Sequence, residues 1–137
     1  MNALENLSRL QELRQEIARR KERVDTLRRM AERISPILRE VQVRSSPDPS
    51  RIQALLAEAA DEEAEILRLR EELTEAMPAC ALSFSRLPDP RLALLLEMRY
   101  LEGLPFPVIA GALCHTRSYV HKLHRQALDL LADCPAP

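Results

Sequence analysis

Apolar positions in the first segment recur at alternating spacings of three and four. Leu10, Leu13, Ile17, Val24, Leu27, Ala31, Ile34, Leu38 and Val41 fill all but one of the heptad a and d sites, and Arg20 is the exception. A strip with that repeat stays on one side of a helix, so the pattern predicts a long coiled-coil-like element. Pro36 interrupts the chemistry but not the phase. A proline inside a helix lacks an N–H donor and costs about 3 kcal/mol, so a kink is expected there rather than a stop.

The stretch RSSPDPS, residues 44–50, breaks the repeat with two prolines and three serines, residue types that suit a tight connection. Ser50 is the expected N-cap of a second helix, whose seam is Ile52, Leu55, Ala59, Glu62, Ile66, Leu69, Leu73 and Ala76. Two such helices with a short loop make an antiparallel helical hairpin. Folding symmetrically about residues 47–48 pairs positions whose numbers sum to roughly 95 at a shared rise per residue. Arg33 then lies level with Glu62, and Arg20 with Glu75. Leu7, Met30, Leu56 and Leu67 fall off the strict seam and need cover. The expected cover is a second copy, giving a homodimer through a four-helix bundle. Packing on the chain's own C-terminal domain is the alternative.

After residue 77 the periodicity changes. MPACALSFSRLPDP, residues 77–90, holds three prolines and reads as a linker. Asp89-Pro90 supplies an N-cap followed by proline at the first helical position. A helix over 90–102 should end at Gly103. Pro105 and Pro107 belong in the first turn of a short second helix, where a missing N–H costs least. That helix turns Ile109, Ala110 and Leu113 inward. Cys114-His115 leaves room only for a tight turn, and Thr116 caps a last helix with Val120, Leu123, Ala127 and Leu130 or Leu131 as its buried stripe. The expected fold is therefore all-α, with a helical hairpin over 1–77, a linker over 78–88 and a three-helix helix-turn-helix domain over 89–137.

Composition agrees with helices. The 137 residues include only 2 glycines and 3% aromatics, while 46% are hydrophobic and 30% charged, a balance of a folded chain rather than a disordered one. No apolar run is long enough for a membrane span, and charge begins at Glu5, so neither a membrane partner nor a signal peptide is expected. Cys80, Cys114 and Cys134 form no CxxC pair, which argues against a zinc site or a disulfide framework and for a reducing, cytoplasmic setting.

The net charge of −1 conceals segregation. Residues 1–44 carry 11 Lys+Arg and 7 Asp+Glu, and residues 50–77 carry 3 and 8, so the two hairpin segments can neutralise each other. Residues 91–131 carry 5 and 3, and from Thr116 to Leu128 every charge is positive. With the apolar stripe turned inward, Arg117, Ser118, His121, Lys122 and Arg125 share the outward face, and Tyr119 sits at its margin. A short helix, a tight turn and a basic helix match a plan that inserts its second helix into the major groove of double-stranded DNA. Arg117 and Ser118, in the first turn, are the expected base or backbone readers. Lys122 and Arg125 suit phosphates.

Competing chemistry is weaker. The basic run over 18–29 is interrupted by Glu22 and Asp25 and reads as a solvated face beside an acidic helix. His121 and His124 as metal ligands lack a full tetrahedral set, so they are expected at the surface or against phosphate. Ser118 and His121 have no orienting third group for nucleophilic catalysis, and no glycine-rich phosphate loop exists. No enzyme, metal or cofactor is expected.

The segment RLALLLEMRYLEGLPFPVIAGALCHTRSYVHKLHRQALDLL resembles the region-4-type helix-turn-helix of bacterial sigma factors. It is similar to phage-encoded transcriptional regulators of the ArpU and RinA type through the layout RYLEGL, IA, L, S, V and HRQAL. The resemblance covers about 40 residues. It implies promoter or operator DNA as partner, RNA polymerase as a further one, and control of phage or prophage genes. Thr116, Arg117, Ser118, Tyr119, His121, Lys122 and Arg125 would lie on the DNA-reading helix. Cys114 departs from the glycine usual in the turn, and Pro105 and Pro107 from the polar residues usual at the start of the middle helix. The other expected class is a protein-interaction or phage assembly protein, such as a small terminase subunit, that uses the same helices as a structural module.

Overall fold

The structure is a computed structural model that describes the backbone of residues 2–41 and 50–133 and the side chains of 2–34 and 50–133. Every element among the described residues is helical: α1 (Ala3–Val41), α2 (Ser50–Ser85), α3 (Pro90–Leu96) running on as a π-helical turn (Glu97–Leu101), α4 (Phe106–Leu113) and α5 (Arg117–Ala132). No helix there is long and apolar enough to cross a membrane. Of the expected break over 44–50, residues 44–49 lie outside the described residues, and Ser50 is the first residue of α2.

Local chemistry accounts for the helix ends. At the start of α1, the Glu5 N–H donates to Asn2 Oδ1 (2.8 Å) and the Asn2 N–H to Glu5 Oε2 (3.1 Å), a reciprocal cap that satisfies two of the free donors. Asp89 caps α3 through the Arg91 N–H at 2.9 Å, with Pro90 at the first position. The π turn closes at Glu102, whose N–H reaches Glu97 O (3.0 Å), and Gly103 follows at φ +73°, a backbone that L side chains rarely adopt.

Two compact units divide the chain, Met1–Arg14 with Glu72–Pro137 and Gln15–Glu71. In the second, α1 and α2 pack through the expected seam: Ile17, Val24, Leu27, Ala31, Ala59, Ile66 and Leu69 are buried. Arg20 enters this seam between Glu16 (2.9 Å) and Glu62 (3.0 Å), and Arg23 meets Glu58 (2.5 Å), so the helices run antiparallel. The register differs from the symmetric one. Arg20 meets Glu62 rather than Glu75. In the first unit, Ala3, Leu7 and Leu10 share a core with Cys80 and Phe84.

That core belongs to the first unit and contains Leu92, Leu95, Leu96, Tyr100, Ile109, Ala110, Val120, Leu123, Ala127 and Leu131 as well. The expected linker over 78–88 is thus corrected: α2 passes through Pro78 and stays helical to Ser85. Cys80, Phe84 and Leu87 are buried at helical spacing, and burial of each large apolar side chain, worth about 1.5–3 kcal/mol, offsets the proline. The Ser83 hydroxyl, also buried, donates to Ala79 O (3.2 Å). Arg14 ties α1 to the π turn, its Nε and Nη2 donating to Tyr100 O (3.2 and 3.1 Å) and Nη2 also to Leu101 O. A cationic fork at helix C-terminal carbonyls is favourable on both hydrogen-bond and dipole grounds.

Candidate nucleic-acid interface

The candidate face is built on α5. Its stripe of Val120, Leu123, Ala127 and Leu131 is buried, which resolves the Leu130-or-Leu131 alternative; Leu130 is 37% exposed. Burying one stripe sends the opposite one outward. Thr116, Arg117, Ser118, Tyr119, His121, Lys122 and Arg125 are all exposed. Thr116 is the N-cap, its hydroxyl accepting from the Tyr119 N–H at 3.2 Å. The first turn therefore begins at Arg117, with free backbone donors and the positive end of the dipole beside its guanidinium.

The approach to α5 is short because Cys114 adopts the left-handed conformation, φ 58° and ψ 41°. Its N–H reaches Gly111 O (3.3 Å) and the His115 N–H reaches Ala110 O (3.0 Å), closing the end of α4. A cysteine in this conformation gives up about 1–2 kcal/mol relative to a right-handed one. Its thiol is exposed, while that of Cys80 is buried and pushed up to about 11 by burial.

His124 is not on the surface. It is half-buried, its Nε2 2.8 Å from the Tyr100 hydroxyl and its ring stacked on Tyr100 at 5.8 Å. Burial, then the charges of Arg99 and His121, hold it below the ordinary imidazole value. Phe106 sits among His121 (4.3 Å), His124 (5.1 Å) and the guanidinium of Arg99 (4.3 Å). Arg99 Nη1 also donates to Leu104 O at 3.1 Å. This aromatic cluster fixes α5 against the π turn and α4, which makes Arg99, Tyr100 and Phe106 positioning residues for the exposed face. Sequence reasoning passed over them. The available signal was scarcity: with only 2 Tyr and 2 Phe in the chain, every aromatic residue lies at or after Phe84.

Arg91 is a further residue not anticipated. Its guanidinium pairs with Asp89 (3.2 Å) and also meets the Tyr119 hydroxyl, both of which raise its pKa. It is 61% exposed and links the start of α3 to Tyr119 of α5, its charge met by Asp89. Among the described residues no three His, Cys, Asp or Glu side chains stand together as metal ligands. No family model matches the chain, and no curated protein or solved structure matches it.

Proposed function

We propose that this chain is a sequence-specific regulator of transcription that binds double-stranded DNA, of the phage or prophage type its C-terminal segment resembles. In this reading α4, the Cys114 turn and α5 act as a helix-turn-helix, and α1 with α2 form a hairpin that joins two copies. The observation that carries it is the exposed side of α5, where Arg117, Lys122 and Arg125 project with no acid before Asp129. A cationic helix of this kind is attracted to the phosphate backbone, and its first turn is the part that reaches base edges. Arg117 and Ser118 would then read or abut bases, while Lys122 and Arg125 hold phosphates.

Replacing Arg117, Lys122 and Arg125 together by glutamate should abolish duplex binding in a gel-shift titration while the circular dichroism spectrum stays unchanged. Undiminished binding by the triple variant refutes the reading. Native binding should weaken with salt at a log–log slope of about −0.9 for each phosphate contacted.

One observation favours the second reading, a protein-interaction or assembly module that engages RNA polymerase or a phage component. The outer side of α4 exposes Pro105, Pro107, Val108 and Ala112, with no charged residue between Leu104 and Cys114. A helix flank of that composition suits a protein surface better than a phosphate. Affinity for duplex DNA that is weak at every salt concentration and indifferent to sequence would select it.

A further inference from the structure

The groove between α1 and α2 in the unit Gln15–Glu71 has a polarity of its own. It encloses about 380 Å³, with Val24 and Ile66 on its floor and Leu67 on its wall. Leu67 is 60% exposed, and Leu56, on the same stripe of α2, is 43% exposed. These two leucines lie about 16 Å apart along the helix at 1.5 Å per residue. Because the helices are antiparallel, Lys21 of α1 and Arg70 of α2 flank one end of the groove, and Asp25 and Glu63 flank the other. At the second end Glu63 pairs with Arg28, which also feels Asp25 and Glu32, and Arg29 Nε donates to Asp25 O, so three acids stand against two bases there.

We infer that this groove is a two-fold interface for a second copy of the same chain, with Leu67 at the axis. The inference rests on the proposed dimeric regulator and names the surface that joins its copies. A two-fold axis through Leu67 turns the basic end of one copy onto the acidic end of the other. Lys21 and Arg70 of each copy then face Asp25 and Glu63 of the other, the self-complementarity an isologous contact requires. The two Leu67 side chains meet over Val24 and Ile66. Within the unit this contact runs about 12 Å along α2, from Glu63 to Glu71 at 1.5 Å per residue, well short of a standard interface of ~800 Å² per partner. The dimer is accordingly concentration-dependent.

Sedimentation equilibrium of the intact chain over a concentration series tests this. Leu67→Glu buries an unpaired charge at the axis and should weaken dimerisation about a hundredfold with helicity unchanged. Lys21→Glu with Arg70→Glu in one chain, and Asp25→Lys with Glu63→Lys in another, should each dimerise poorly, while their equimolar mixture regains native affinity. If the leucine variant does not fold, the charge-swapped pair decides. Native dimerisation by all three variants, or a mixture no tighter than its parts, overturns this surface and leaves the proposed dimer standing. A native chain that remains monomeric at every concentration overturns both.

Discussion

At the scale of single residues, two positions in the first unit hold conformations that their neighbours impose. Gly103 has a positive φ, and a Cβ there would stand 2.6 Å from Arg14 Nη1. Gly103→Ala combines backbone strain with displacement of a guanidinium held by two carbonyls, and should lower the unfolding free energy from denaturant melts by about 1–3 kcal/mol. His124 carries a pH dependence. Its folded pKa lies below the ordinary value of 6.5 because burial penalises the cation. The unfolded chain therefore binds the proton more readily, so this contribution to stability is complete above pH 6.5. It is lost as pH falls through that value toward the folded pKa. Thermal midpoints measured from about pH 7.5 down to about 5.5 should decline in the native chain and decline less in His124→Gln.

At the scale of elements, α5 depends on its first turn. Thr116→Ala removes the acceptor for the Tyr119 N–H and should destabilise the chain by about 1 kcal/mol in a chemical melt. It should also loosen Arg117 and Ser118, and so weaken duplex binding more than the stability loss alone. What could be read from sequence follows the same division between local and distant causes. The starts and stops of α3, α4 and α5 were legible because Asp89-Pro90, Gly103 and Thr116 act on their own backbone. The exposed face of α5 was legible because its buried stripe is periodic. The helical course of residues 78–85 was not, since Pro78 argues locally against it and only tertiary burial of Cys80 and Phe84 outweighs that. The π turn, the seating of His124 on Tyr100 and the register of Arg20 with Glu62 likewise depend on partners far along the chain. Symmetry about residues 47–48 was a poor guide to register, since Arg20 pairs with Glu62 and Arg23 with Glu58.

At the scale of the whole molecule, the boundary of the C-terminal module shifts. A segment of some 48 residues would be near the lower limit for independent folding, and the first unit resolves the difficulty by recruiting Ala3, Leu7 and Leu10 from α1 and Cys80 and Phe84 from α2. A fragment comprising residues 78–137 lacks the α1 side of that core. It should show no cooperative thermal transition and poor amide dispersion in NMR spectra, whereas the intact chain shows both a transition and dispersion. A sharp melt of the isolated fragment would contradict this account of the core.

The clasp that Arg14 makes on the carbonyls of Tyr100 and Leu101 bears on how the protein is made. Leu7 and Leu10 emerge from the ribosome well before Val120 and Leu131, the side chains that complete their enclosure. At 5–20 residues per second the delay is on the order of ten seconds. For that interval the nascent chain carries an apolar strip whose enclosure is incomplete.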